Sequence, residues 1–372
     1  MVVDVLIRGS GAVGQSLALA LAAQGLRVAL RRPHGPASAR EDVRAYALNA
    51  ASQRLLAGLR VWDGLPADAR TPVVDMRVQS GQGRLDFSAW NAQADELAWI
   101  VDAAALDAAL ATALRFAPHV QWVDEEPGHA LLALCEGREA ASRQQLGIAV
   151  QRRPYGHDAL ACRLVADVPH QGRAWQWFLA EGEVLALLPL DRPEPGRSYA
   201  LVWSQPAATA RERLQEDEGA FEQELAARTG QTLRLASPRQ SWPLQWLRAE
   251  RVAGEGHVLL GDCAHLVHPL AGQGLNLGLA DVAALARVLA AREPWRPLGD
   301  AKLLRRYERE RAADTLLMGT LTDSLWLGFS QAPEWARQLA SQGLSAVDQL
   351  SPLKRWLSRQ AMGRSPQPGS PA

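Results

Sequence analysis

At 372 residues the chain is longer than one compact core commonly runs, so two domains or one elaborated fold are expected. Forty basic and forty acidic side chains cancel to a formal net charge of zero, which gives no global cationic field for nucleic acid and favours a small-molecule enzyme. Cys135, Cys162 and Cys263 are scattered and form no CxxC pair, so a disulfide framework and a zinc site are both disfavoured and a reducing cytoplasm is expected.

The N-terminus MVVDVLIRGSGAVG runs from an apolar strand straight into glycines, without the basic flank and cleavage site of a signal peptide. No stretch approaches the roughly 20 continuous apolar residues of a membrane span. Val2 to Ile7 reads as a buried strand, Ala12 to Gln24 as a helix, and Leu26 to Leu30 as a second strand, a βαβ opening. Between strand and helix, Gly9, Gly11 and Gly14 have the spacing of the dinucleotide fingerprint, which serves a tight turn, close approach of a pyrophosphate and close helix packing. That fingerprint calls for an acid at the end of the second strand, and VALRRP places Arg31 and Arg32 there instead. An arginine at this place can bind a phosphate, stay solvated, or weaken dinucleotide binding.

Val43 to Leu65 opens with Arg44 in a polar loop and continues as a helix with Leu55, Leu56 and Leu59 on one face. Arg44 either reaches a cofactor phosphate or is an ordinary surface arginine. From Val73 to Asp86 and from Leu160 to Trp203, apolar and polar residues alternate between Gly and Pro breaks, which predicts an antiparallel sheet. Its Trp175, Trp177, Phe178 and Trp203 have two readings, an aromatic pocket or, the commoner use, core packing.

His257 to Asp262 is a short apolar strand ending in Gly-Asp, which puts the Asp262 carboxylate at a strand's carboxyl end, where open α/β sheets bind ligands. The following HPLAGQGLN removes side chains so that peptide N–H groups can approach a flat ligand, and Leu275 to Leu289 then continues as a helix. The partial positive charge at that helix N-terminus would stabilise an anionic reduced flavin. Beyond Leu298 the chain reads as helical, and SPLKRWLSRQAMG is a basic amphipathic segment suited either to an anionic membrane surface or to the protein's own core. The tail RSPQPGSPA is Pro- and Ser-rich and expected to be disordered.

Taken together, GSGAVG, RAYALNAASQRLL, WIVDAAALDAAL, GDCAHLVHPLAGQGLNLGLADV, LLRRYERERAADT and PLKRWLSRQAMG resemble the FAD-dependent aromatic-ring monooxygenases, within them the ubiquinone-biosynthesis hydroxylase (UbiH/VisC-like) family. The resemblance implies an α/β fold: a Rossmann-like FAD-binding domain (1–72, 98–158 and 250–298) interleaved with a mostly antiparallel β-sheet substrate domain (73–97 and 159–249), then C-terminal helices over 299–364 and a tail over 365–372. It implies FAD as cofactor, NAD(P)H or another electron donor and dioxygen as co-substrates, and oxygen transfer from a flavin hydroperoxide to an electron-rich ring. No nucleic acid enters this chemistry.

Carried over by motif, Gly9, Gly11 and Gly14 would meet the FAD pyrophosphate with Arg44 nearby, Arg32 would stand at the ribose position, and Asp262 would hold the ribityl chain. Gly272, Gln273, Gly274, Leu275 and Asn276 would lie along the isoalloxazine. His265 and His268 would either tune proton traffic around neutral pH or simply pack the loop. The family's GADG-type motif with a following Arg-Ser reads here as LCEGREAA, with Glu136 for the aspartate and Glu139 and Ala140 at the Arg-Ser positions. The implied substrate is a small aromatic or prenylated quinone-type molecule, with other ubiquinone-biosynthesis proteins as partners and a cytoplasmic location, peripheral on the inner membrane face.

Overall fold

The structure, a computed structural model, describes residues 2–32, 41–81, 83–267 and 274–313. β1 (Val2–Arg8) passes through the glycine turn into α1 (Ala12–Ala22) and returns as β2 (Val28–Arg31), parallel to β1. Val5, Leu6 and Ile7 are fully buried, as expected of a parallel strand covered on both faces. β3 (Ala45–Leu48), which the sequence reading folded into a helix, precedes α2 (Ala50–Gly58). The switch is made at Asn49, whose side chain caps α2 by accepting from the Ser52 N–H.

Next come β4 (Arg70–Val73), β5 (Asp75–Ser80), β6 (Gly83–Ser88), β7 (Ala98–Asp102), α3 (Ala103–Arg115), β8 (Val120–Val123), β9 (Gly128–Leu134), α4 (Ala141–Gln145) and the long β10 (Val150–Ala166). β11 (Arg173–Phe178), β12 (Val184–Leu190), β13 (Ser198–Pro206), α5 (Ala207–Gln215), α6 (Glu218–Thr229), β14 (Leu233–Leu235) and β15 (Gln240–Ala249) follow. β16 (Ala253–Gly254), β17 (His257–Leu259), β18 (His265–Leu266) and α7 (Gly274–Ala290) return the chain to the first domain, and residues 301–313 are helical.

The first sheet has the order β16-β17-β9-β1-β2-β8 and is parallel except at the β16 edge. α1, α3, α7 and helix 301–313 pack on one face of it, through Leu17, Leu21, Leu106, Leu110, Leu285, Leu289 and Tyr307. The nine-stranded sheet runs β18-β15-β10-β13-β12-β11-β5-β6, with β14 beside β10. It is antiparallel apart from the β11–β5 pair. A three-stranded sheet, β3-β7-β4, sits between the two.

The expected boundary at 158/159 needs correction, because β10 pairs with β15 from Val150 onward and belongs to the large sheet along its whole length. The tryptophans are resolved by strand parity. Trp177 and Trp203 lie on the face covered by Phe221 and Leu225 of α6, in core packing. The opposite face, with Ala174, Ala186 and Ala200, packs against Ile100 and Ala45 of the three-stranded sheet. The helical reading from 314 to 364 and the tail lie outside the described residues.

Candidate active site

The glycine turn divides its labour. A Cβ on Gly9, whose φ is +108°, would stand 2.1 Å from the Cys135 carbonyl oxygen, and one on Gly14 would stand 1.9 Å from the Gly9 oxygen. These two glycines let β1, β9 and α1 touch. A Cβ on Gly11 would meet nothing within 4 Å. Gly11 caps α1 without a side-chain hydrogen bond, and the helix's first turn carries no acid. The first turn of α1 is therefore left without a capping side chain or an acid beside open space at Gly11, the arrangement a diphosphate requires.

Across from that turn, Gly261 adopts φ +60°, and Cβ atoms on Gly261 and Gly278 would press on Val13 at 3.2 and 2.5 Å. This close packing joins α1, α7 and the turn that carries Asp262. Asp262 is solvent-accessible yet set in a concave wall of protein, and burial raises its carboxyl pKa against the opposing pull of His265, Arg138 and Arg44. Arg44 is held by a bidentate pair with Asp42 and lies 5.9 Å from the Tyr46 ring and 5.8 Å from the Trp242 ring. Burial pushes the Tyr46 hydroxyl up to about 12, so it stays protonated at neutral pH. The fold thus brings Gly11, Arg44 and Asp262, distant in sequence, to one cleft.

Behind this wall is a polar cluster that sequence reasoning missed. Asp281, fully buried on α7, accepts from the Gly261 N–H at 2.8 Å, from Nε2 of His265 at 2.8 Å and from Nε of Arg311 at 2.6 Å. Burial lowers the His265 pKa, but the Asp281 carboxylate outweighs it and the net shift is upward. The same pairing holds Asp281 below the ordinary carboxylate range despite its burial. His265 therefore packs and positions the Asp262 turn, and among the described residues its Nδ1 has no hydrogen-bond partner. An acid inside the otherwise apolar LGLADVAAL was the available sequence signal.

Asn276 is anchored through its side chain. Its side-chain oxygen accepts from the Asn49 N–H at 3.0 Å and the Ser52 hydroxyl at 2.7 Å, and its amide donates to the Ala47 carbonyl at 2.7 Å. That side chain ties α7 to α2 and leaves only main chain for a ring. Gly274 and Leu275 form the first turn of α7, while His268, Gly272 and Gln273 lie outside the described residues. In the altered LCEGREAA segment, Glu136 accepts from the Ser142 hydroxyl at 2.8 Å. The buried Arg143 bonds the carbonyls of Cys263 and Arg138. Ser142 and Arg143, two residues passed over in the sequence, thus brace the loop beside the Asp262 turn.

At the far end of the cleft the acid expected on β2 is absent. Arg31 Nη1 binds Glu126 at 2.5 Å, Arg8 binds the same carboxylate at 2.7 and 2.6 Å, and Arg32 pairs with Asp124 at 3.3 Å. A groove of about 1050 Å³ lined by Ala22, Gly58, Ala109 and Phe116 lies elsewhere, at the C-terminal end of α1.

The uncapped α1 turn, the empty space at Gly11 and the Asp262 wall fit a flavin dinucleotide. The FAD binding domain family matches residues 129–316. The chain is 34% identical to the ubiquinone hydroxylase UbiL of Rhodospirillum rubrum over 97% of this chain and 90% of that one. It is 30% identical to the 3-demethoxyubiquinol 3-hydroxylase of Escherichia coli over 97% and 98%. Its fold is that of PqsL, a probable FAD-dependent monooxygenase from Pseudomonas aeruginosa, with a TM-score of 0.75, 21% identity, and 92% and 100% of the two chains covered. The chain belongs to the ubiquinone-biosynthesis hydroxylase family of FAD-dependent aromatic-ring monooxygenases. It is an FAD-dependent hydroxylase.

Proposed function

We propose that this hydroxylase acts on the ring of a polyprenylated phenol or quinone precursor in ubiquinone biosynthesis, with NAD(P)H or another donor as reductant and dioxygen as oxidant. The observation that supports it is the junction of Gly11, Arg44 and Asp262 in a chain similar over nearly its full length to hydroxylases of ubiquinone and demethoxyubiquinol. FAD, when bound, supplies reductive activation of dioxygen and transfer of one oxygen atom. The protein's share is placement. The α1 N-terminus and Arg44 would hold the diphosphate, and Asp262 would accept from the ribityl hydroxyls. The Asp281 cluster fixes the backbone that carries Asp262, so that group is already oriented before a ligand arrives.

The test is single-turnover hydroxylation by the FAD-loaded full chain of a short-chain prenylated phenol, read by mass spectrometry. A product heavier by one oxygen supports the reading; reductant consumption that yields only hydrogen peroxide with every prenylated phenol or quinol tried overturns it. Contact with a membrane surface and with other ubiquinone-biosynthesis proteins, and a cytoplasmic location on the inner membrane face, belong to the same proposal, because such a substrate partitions into lipid. The basic segment 351–364, outside the described residues, is the part of the chain that motivates the membrane contact, and flotation with anionic liposomes before and after its removal tests it.

A further inference from the structure

We propose that Asp124, at the end of β8, supplies the carboxylate for the adenosine ribose of FAD that β2 lacks. In a dinucleotide site of this topology the pyrophosphate sits at the α1 N-terminus, and the adenosine ribose extends over the carboxyl end of β2, where an acid meets the 2′-hydroxyl. Here that position is Arg32, a cation with no acceptor for a hydroxyl. β8 lies beside β2 in parallel register, Arg31 opposite Val123, and the Arg32 N–H donates to the Val123 carbonyl at 2.9 Å. The residue facing Arg32 at the strand ends is therefore Asp124, one strand spacing of about 4.8 Å away. Its Oδ1 lies 3.3 Å from Arg32 Nε. The arginine holds beside it the acceptor that its own side chain lacks.

Glu126 is the competing carboxylate, and its contacts disqualify it. Both of its oxygens are engaged by Arg8, and one also by Arg31. Asp124 is 80% exposed at the side chain, with Arg32 on one side and solvent on the other. A carboxylate in that state can exchange water for ribose hydroxyls without surrendering a buried pair.

The test crosses the protein change with removal of the hydroxyl itself. The full chain, freed of flavin, is titrated with FAD and with the FAD analogue whose adenosine is 2′-deoxy, for the unaltered protein and for Asp124→Asn, with binding read by flavin fluorescence. Asp124→Asn is expected to weaken FAD by about tenfold, the worth of one charge-assisted hydrogen bond. The 2′-deoxy analogue should bind both proteins alike, because the group the acid recognises is already gone. Equal weakening of the two ligands would assign Asp124 to the general field of the cleft and overturn the proposal, as would no weakening of either. Loss of selectivity in Glu126→Gln but not in Asp124→Asn would move the role to Glu126 and overturn it equally. Failure of the unaltered chain to bind FAD is a separate result that would remove the cofactor site as a whole. Thermal melts of the flavin-free proteins should coincide, since Asp124 is exposed.

Discussion

The two ends of the cleft use charge in opposite ways. Beneath Asp262, the carboxylate of Asp281 is sealed from solvent and meets His265, Arg311 and a peptide N–H. At the adenosine end, Arg32 and Asp124 pair directly at 3.3 Å but are 55% and 80% exposed to solvent. Coulombic attraction is weakly screened in the first place and strongly screened in the second. The buried cluster therefore sets backbone geometry and cannot be altered piecemeal, whereas the exposed pair can change partners, and evolution could substitute its members without losing the fold.

The sharpest way to break this contrast is at Asp281. Asp281→Asn removes the carboxylate paired with the buried Arg311 and with His265, whose pKa it raises, and removal of one member of a buried pair costs about 3–5 kcal/mol. Urea unfolding of the full chain reads this directly. A loss below about 1 kcal/mol would mean that the cluster does not hold the turn. Asn276→Ala is expected to cost less, about 2 kcal/mol, because it strands the Ser52 hydroxyl and the Asn49 N–H inside the α2–α7 junction without creating an unpaired charge.

A third measurement separates charge from shape at the same end. His265 has a folded pKa above its ordinary 6.5, so its pairing stabilises the protein fully below that pH and is lost as pH rises through the raised value. Asp281 has a folded pKa below its ordinary 3.8, so its contribution is present above that pH and is lost as pH falls through the lowered one. The urea midpoint should fall as pH rises above 6.5, and the fall should be smaller in His265→Gln. An unchanged slope in the variant would place the titration elsewhere.

The sequence exposed the parts of the fold that rest on local rules. β1, α1 and β2 were legible because near-continuous apolar strands flank a glycine pattern. What escaped has a common physical basis. β3 is four residues long and held by β7, far along the chain, so its own sequence carried little signal. The anchoring role of the Asn276 side chain escaped because a motif records that a residue is required and not which way it points. Here the amide turns toward Asn49 and Ser52, more than two hundred positions away. The roles of Ser142, Arg143 and Arg311 depend likewise on contacts that only the folded chain makes.

The smallest effect expected lies at the exposed end. Arg32→Ala removes a pair whose members both stand in water, and exposed pairs of this kind contribute about 0–1 kcal/mol, further reduced by salt. Arg32 also lies 6.0 Å from the Trp122 ring, but at that distance and exposure the cation–π contribution is of the same small order. Urea midpoints for the variant and the unaltered chain should therefore agree within about 1 kcal/mol at low salt and converge as salt is raised. A destabilisation of about 2 kcal/mol or more that persists at high salt would show that Arg32 locks β2 to β8. The two ends of the cleft would then be alike in depending on fixed charge, and the freedom ascribed to the adenosine end would not exist.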